Sequence, residues 1–299
     1  MRNNNLIGTG VALITPFNED FSIDFSSLDN LINHLLNNNV DYFVVMGTTG
    51  ESATLTLEEQ DAILSHVKKT VNNRVPIVLG VGGNNTNQVL HRLKSIDFSG
   101  IEAVLSVSPY YNKPSQKGLL THYSQIAANC PVDIILYNVP SRTALNIDSS
   151  TIISLAKKYP NIIGVKEASG DMVQCMDIIS HAPKDFMIIS GDDKMTFPIM
   201  SLGGVGVISV QAMALPSIFV KMVKFLLDNN NNEARNYHYQ LLKTVDLFYI
   251  DGNPSGVKEA LYYLGLCKSS QVRLPLIKME LENARLLRDL LRHTLGNKK

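Results

Sequence analysis

The stretch Asn161–Lys166, Asn-Ile-Ile-Gly-Val-Lys, contains the clearest of eight short runs that share one pattern. Each run is apolar or β-branched and spans four or five residues, as is typical of parallel strands covered by helices. The eight runs are Gly10–Ile14, Tyr42–Met46, Ile77–Val81, Ala103–Val107, Ile134–Tyr137, Ile162–Lys166, Met187–Ser190 and Gly206–Val210. Longer amphipathic segments separate them. This alternation predicts an α/β fold, a (β/α)8 TIM barrel, and a doubly wound open sheet remains the structural alternative.

The segments between the runs carry the start signals of helices. Ser26 is a possible N-cap of the first helix, and Thr56–Glu59 has the pattern of a capping box. Asp148 or Ser149 is expected to cap a later helix. Pro216 lies near the first turn of another helix, where its missing N–H costs little.

The alternation stops after about Asp228. We therefore predict a catalytic barrel over residues 1–228 and a C-terminal helical region over residues 229–299. The predicted C-terminal helices are Glu233–Phe248, Val257–Leu264 and Ile277–Leu295. We expect this helical extension to pack on the barrel or on a partner subunit.

Composition and charge narrow the class of protein. The formal net charge is +0 over 299 residues, which argues against nucleic acid or an anionic membrane as the main partner. Three cysteines without a Cys-x-x-Cys pair suggest neither a disulfide framework nor a structural zinc site. The polar start, Met1–Leu6, lacks the apolar core of a signal peptide. We expect a cytoplasmic protein without a membrane span.

Polar residues gather where the predicted strands end, and barrel enzymes place their chemistry at that rim. The segments that follow the second, fourth, fifth, sixth and eighth runs are Gly47–Glu51, Pro109–Pro114, Tyr137–Thr143, Lys166–Glu167 and Ile208–Ser209. Hydroxyls, phenols, Arg142 and Lys166 are thus predicted to share the rim. No histidine and no metal-ligand cluster joins them, so we expect neither a metal nor a cofactor.

Lys166 is the strongest candidate for a catalytic residue. A lysine at the end of an apolar strand is costly to bury unless it takes part in chemistry or pairs with a carboxylate. Strand alternation predicts Ile162, Gly164 and Lys166 on one face, where Gly164 would leave room beside the amine. A neutral amine is the nucleophile for a carbonyl group, and a mostly apolar barrel mouth favours the neutral form. The alternative is a snorkelling lysine paired to Glu167 or to another carboxylate.

Four other rim residues suit the same chemistry. The phenol of Tyr137 could shuttle protons, and its alternative is a packed tyrosine with a satisfied hydroxyl. Thr48 and Thr49 could relay a proton or hydrogen-bond a carboxylate, and their alternative is an ordinary turn between strand and helix. Arg142 offers a fork for a substrate carboxylate, and its alternative is a loop ion pair.

Four motifs together resemble the dihydrodipicolinate synthase family, a branch of the pyruvate-dependent class I aldolases that also include N-acetylneuraminate lyase. The motifs, in the family's order, are Gly47–Thr54, Tyr110–Pro114, Tyr137–Thr143 and Ile163–Ala168. The resemblance runs from about Gly8 to the C-terminus. It implies a Schiff-base-forming lyase that condenses pyruvate with L-aspartate 4-semialdehyde on the route to diaminopimelate and lysine, and usually a homotetramer, a dimer of dimers.

The resemblance also implies a role for each matched residue. Lys166 forms the imine with pyruvate, and Tyr137 is the central proton donor and acceptor. Thr48 and Tyr111 complete the proton relay, with Tyr111 reaching in from the neighbouring subunit. These four residues form the expected catalytic set.

Three residues are implied in substrate binding. Thr49 and the backbone of Ile208 hold the pyruvate carboxylate, and Arg142 receives the carboxylate of the aldehyde. Sialic acid lyases usually lack that arginine. A sister aldolase for N-acetylneuraminate or 2-keto-3-deoxygluconate remains the main alternative function. A catalytically silent barrel and a metal-dependent aldolase are the others.

The family's lysine-inhibited members carry an allosteric site at the dimer interface, and part of it is matched here. The matching residues are Ser52, Ala53, Asn84 and Tyr110. Leu57 and Gln60 stand where such enzymes often have histidines, and Gln88 stands where they have a glutamate. Because that glutamate would pair with the effector's ammonium group, we predict weak or absent inhibition by lysine.

The C-terminal region contains a second departure from the family pattern. Asn253–Lys258, Asn-Pro-Ser-Gly-Val-Lys, replaces a more usual Asn-Pro-Ile-Pro-Val-Lys. We expect Gly256 to relax the start of a helix there, with little effect on the chemistry.

Overall fold

A computed structural model describes residues 4–296 and contains a closed barrel of eight parallel strands. The strands are β1 Gly8–Ala12, β2 Tyr42–Val45, β3 Ile77–Gly80, β4 Ala103–Val107, β5 Asp133–Asn138, β6 Ile162–Glu167, β7 Met187–Ser190 and β8 Gly206–Ser209. Each strand pairs with its neighbour in the chain, and β8 returns to β1, where Ile208 lies opposite Gly10. The barrel prediction is confirmed, and the open sheet is excluded.

Helices cover the barrel and continue beyond it. They are α1 Phe25–Asn37, α2 Leu57–Val71, α3 Thr86–Ser95, α4 Gln116–Asn129, α5 Pro140–Thr143, α6 Ser149–Lys158, α7 Met172–His181, α8 Thr196–Ser201, α9 Pro216–Leu227, α10 Asn231–Val245, α11 Ser255–Tyr263 and α12 Leu281–Leu295. Helices α1 to α8 connect successive strands, and α9 follows β8. Helices α10 to α12 form the predicted helical C-terminal segment, and α10 packs against α9.

The predicted strands agree with the observed ones to within one residue, except for the first. Strand β1 begins at Gly8 rather than Gly10 and ends at Ala12. Glycine is a poor strand former, but here the backbone pairing of Gly8 with Gly206 sets the start. Gly10 is required because a Cβ there would lie 2.2 Å from the Tyr42 ring.

The helix boundaries show where local signals were sufficient and where they failed. The capping box of Thr56 and Glu59 is confirmed, and Pro216 is the first residue of α9. Ser26 is not the cap of α1, because the Asp24 carboxylate accepts the Ser27 N–H and the Ser26 hydroxyl. Asp148 precedes α6 without a side-chain capping bond.

All three C-terminal helices begin at a residue other than the predicted one, whereas α12 ends at Leu295 as predicted. Helix α12 starts at Leu281, because hydrogen bonds hold the residues before it outside a helix: Ser255 Oγ donates to Ile277 O at 2.7 Å, and Glu280 N donates to Asp251 Oδ2 at 3.0 Å. Gly256 has a role that the sequence did not predict. A Cβ there would lie 2.6 Å from the Leu247 carbonyl oxygen, so this glycine permits close packing.

Two apolar layers surround the strands. The inner layer fills the barrel with side chains of alternate strand residues, and the outer layer lies between the strands and the helices. Tyr137 and Ile208 belong to the inner layer, at the carboxyl ends of their strands. No helix within residues 4–296 has both the length and the apolar character needed to cross a bilayer.

Candidate active site

Lys166 and Tyr137 lie side by side at the mouth of the barrel. They are partners across β5 and β6, and each is the second-to-last residue of its strand. Lys166 is only 5% exposed, and its Nζ lies 4.5 Å from the centroid of the Tyr137 ring. The amine therefore lies inside the mouth against a phenol, which is the arrangement that Schiff-base chemistry needs.

Glu167 does not pair with the amine. Its buried carboxylate accepts hydrogen bonds from Asn138 Nδ2 at 3.0 Å, Gln174 Nε2 at 2.9 Å and Ser169 N at 2.7 Å. In the described part of the chain, Lys166 forms no ion pair with any carboxylate. The alternative of a structural lysine paired to Glu167 does not fit this geometry.

The predicted sharing of one face by Ile162 and Lys166 was wrong. The ladder between β5 and β6 shifts, so that Ile134 pairs with Ile162 but Ile135 pairs with Gly164. Ile163 is the extra residue of this bulge and points into the barrel, whereas Ile162 packs in the outer layer. Simple alternation fails because one added residue reverses the order of faces.

Gly191 leaves the room beside the amine that had been expected of Gly164. A Cβ on Gly191 would lie 3.0 Å from both Cγ and Cε of Lys166, whereas a Cβ on Gly164 would meet Met187. Gly191 was missed, although it directly follows the seventh predicted strand. Its position immediately after a predicted barrel strand could have indicated that Gly191 lies at the mouth.

Thr48 and Thr49 form a short helical turn, Thr48–Gly50, just beyond β2. Thr48 is exposed, so its hydroxyl is free to meet a substrate. Thr49 is buried, and its Oγ1 accepts a hydrogen bond from Asn253 Nδ2 at 3.0 Å. Asn253 was missed as a member of the site. Asn253 is the first residue of the Asn253–Lys258 motif, but nothing in the sequence pattern linked that motif to Thr49.

The other expected residues take different positions around the mouth. Ile208 is buried on the inner face of β8. Arg142 is exposed on α5, and its guanidinium forms no ion pair among residues 4–296. The alternative role, an ion pair within the loop, therefore does not fit the structure. Tyr111 is 93% exposed, with φ at +70°.

A second buried polar group was also missed at the mouth. Asp193, just beyond β7, accepts the Gln211 N–H at 2.9 Å and the Tyr249 hydroxyl at 3.1 Å. Burial raises the pKa of the Asp193 carboxyl and also that of the Tyr249 phenol. Two consecutive acidic residues after the seventh strand, Asp192 and Asp193, could have indicated a polar group at the mouth.

The candidate allosteric residues form two local groups. Asn84 Nδ2 donates to Tyr110 O at 3.1 Å, and Gln60 Nε2 donates to Ser52 O at 3.3 Å. Ala53 is exposed beside Ser52. A surface cavity of about 610 Å³ adjoins the first group, and no lining side chain is charged. Its lining residues are Asn84, Asn85, Thr86, Asn87, Gln88, Tyr111 and Asn112.

Comparison with known proteins gives a consistent result along nearly the whole chain. A sequence model of the Dihydrodipicolinate synthetase family matches residues 5–294. The 4-hydroxy-tetrahydrodipicolinate synthase of Flavobacterium psychrophilum is 49% identical over 273 residues, 91% of this chain and 93% of that protein.

Solved structures of the same kind match this fold. The dihydrodipicolinate synthase of Aquifex aeolicus superposes with a TM-score of 0.93 at 38% identity, over 96% of this chain and 98% of that one. A structure described as the first monomeric dihydrodipicolinate synthase variant gives a TM-score of 0.94 at 34% identity, with 97% of both chains covered.

Proposed function

The chain belongs to the Dihydrodipicolinate synthetase family, and we propose that it condenses pyruvate with L-aspartate 4-semialdehyde through an imine on Lys166. The product is 4-hydroxy-tetrahydrodipicolinate, on the route to diaminopimelate and lysine. The observation that supports this most strongly is the position of Lys166, buried, unpaired within residues 4–296 and 4.5 Å from the Tyr137 ring.

The chemistry begins with attack of the neutral Lys166 Nζ on the keto carbon of pyruvate. The resulting carbinolamine loses water to give the imine, and loss of a methyl proton gives an enamine. The enamine carbon attacks the aldehyde of the second substrate. The amino group of that substrate then attacks the imine carbon, which closes the ring and releases the lysine.

In this proposal Tyr137 moves the protons, and the position of its phenol beside the amine supports that role. The exposed Thr48 hydroxyl extends the relay toward solvent. Tyr111 would complete it from a neighbouring subunit. Its 93% exposure on one chain and its strained backbone fit a side chain that is buried only in an assembly.

Two groups fit the pyruvate carboxylate and one fits the second substrate. The Thr49 hydroxyl and the backbone of Ile208 lie on strands or turns at the same rim as Lys166. Arg142 offers its guanidinium to the carboxylate of the aldehyde, since no carboxylate of the described chain engages it.

We propose a cytoplasmic homotetramer, a dimer of dimers. Exposed apolar side chains occur at the start of α2, between β4 and α4, on α7 and directly after α8. They are Leu57, Tyr110, Tyr111, Val173, Met176 and Leu202. Sedimentation analysis should give the mass of four chains, whereas a single chain at micromolar concentration would contradict this assembly.

Weak inhibition by lysine is part of the proposal. The cavity beside Asn84 has no carboxylate in its lining to pair with an ammonium group. Inhibition by lysine at low millimolar concentration or below would contradict this.

Comparing condensation of the proposed substrate pair with cleavage of two sugar acids tests the function. The protein should consume pyruvate and L-aspartate 4-semialdehyde rapidly, and K166A should abolish this. It should not cleave N-acetylneuraminate or 2-keto-3-deoxygluconate at a comparable rate. Fast cleavage of either sugar acid, with slow condensation, would favour the sister aldolase instead.

A further inference from the structure

We propose that Asn253 is a positioning residue that directs the Thr49 hydroxyl toward the carboxylate of pyruvate. This inference rests on the proposed function, because it requires Thr49 to bind that carboxylate. Asn253 belongs to the C-terminal region, just before α11, and does not itself need to touch the substrate.

The contact is buried and joins distant parts of the chain. Asn253 Nδ2 lies 3.0 Å from Thr49 Oγ1, across 204 positions of sequence. Thr49 is 3% exposed and Asn253 is 7% exposed. Water has little access to compete for this hydroxyl, so the amide decides its orientation.

The direction of the hydrogen bond gives the amide its role. A threonine hydroxyl has one proton to donate and two lone pairs that accept. Because Thr49 Oγ1 accepts from the Asn253 amide, its own proton remains free for a carboxylate at the mouth. An aspartate at position 253 would accept that proton instead and would bring a negative charge close to the substrate's.

The turn that holds Thr49 does not depend on Asn253 alone. Glu51, two residues further on, forms an ion pair with buried Lys258 and accepts the Arg273 N–H at 2.9 Å. The Arg273 guanidinium also donates to Thr54 O at 2.9 Å. Loss of the Asn253 side chain should therefore leave the turn in place and change only the orientation of the Thr49 hydroxyl.

The test separates the KM for pyruvate from kcat. N253A should raise the KM for pyruvate roughly tenfold and leave kcat within about twofold, because the lost interaction is one of binding. N253D should raise this KM further. N283A is the matched control. The Asn283 amide also donates a hydrogen bond within the C-terminal region, but to Asp251 and not to Thr49. The KM of N283A for pyruvate should therefore equal that of the wild type.

A double-mutant cycle shows whether Asn253 acts through Thr49. In T49V, which lacks the hydroxyl, adding N253A should change the KM by less than about twofold. Equal effects of N253A with and without the hydroxyl would overturn the proposal, as would an unchanged KM in N253A. Thermal unfolding of each variant identifies a loss of fold, and T49S should retain the response to N253A.

Failure of this inference is distinguishable from failure of the proposed function. Borohydride with saturating pyruvate should label the wild type and N253A alike. Labelling of both with an unchanged KM would overturn only the role of Asn253. Absence of label from the wild type would overturn the function itself.

Discussion

Replacing Gly191 with alanine tests whether the amine must occupy its observed position. The added Cβ would lie 3.0 Å from Cγ and Cε of Lys166 and 2.8 Å from the Cβ of Ala168. Ordinary carbon contacts are about 3.5–4.0 Å, so the lysine stem must move by roughly 0.5–1 Å. A misplacement of about 1 Å can cost about 100-fold in rate.

We therefore expect G191A to form the pyruvate adduct about 10- to 100-fold more slowly than the wild type. The assay follows, by mass spectrometry, the fraction of protein trapped by borohydride with time at saturating pyruvate. Overpacking should lower stability by about 1–3 kcal/mol, which thermal unfolding will measure. G83A is the matched control, because its new Cβ would lie 3.4 Å from Val89.

A wild-type rate of adduct formation in correctly folded G191A would refute the reasoning. It would mean that the position of the lysine stem against residue 191 does not limit the chemistry. A slow rate shared by G83A would also count against it, since that substitution does not approach the amine.

Three further predictions address other parts of the molecule. R142A should lower kcat/KM for L-aspartate 4-semialdehyde by about 100-fold or more, with pyruvate labelling unchanged, and equal loss in both assays would contradict the assigned role. Burial lowers the pKa of His122 to about 4 from 6.5, so the unfolded chain binds the proton more readily and the native state loses stability as the pH falls through this range. The full share is about 3–3.5 kcal/mol, of which about 2.5 kcal/mol is lost between about pH 7.5 and 4.5, so H122N should reduce the acid sensitivity seen in urea unfolding at these two pH values. G256A should lower the free energy of unfolding by about 1–3 kcal/mol through overlap with the Leu247 carbonyl, which denaturation would measure, and an unchanged value would contradict the close packing.

The barrel could be predicted from sequence because its strands are continuous apolar runs with clear breaks between them. The rim residues followed from the same pattern, since whatever follows a parallel strand lies at the carboxyl edge. Lys166 and Tyr137 were expected on adjacent strands and are partners in the ladder. Local composition carries this information because neighbouring elements in the chain are also neighbours in space.

Features that depend on long-range contacts could not be predicted in the same way. The bulge at Ile163 arises from pairing with β5, and period-two alternation has no means to detect it. The bond from Asn253 to Thr49 joins segments that share no local pattern. The proposed relay role of Tyr111 involves a neighbouring subunit, which neither the sequence pattern nor one folded chain contains.

Peptide mapping of the borohydride-reduced protein after incubation with pyruvate tests the central claim most directly. Lys258 is the natural internal comparison, because it is also buried and its pKa is lowered to about 8 by burial. We predict one reduced pyruvate on the peptide that contains Lys166, none on the peptide that contains Lys258, and none in K166R. Label at Lys258, label that persists in K166R, or no label at all would contradict the claim.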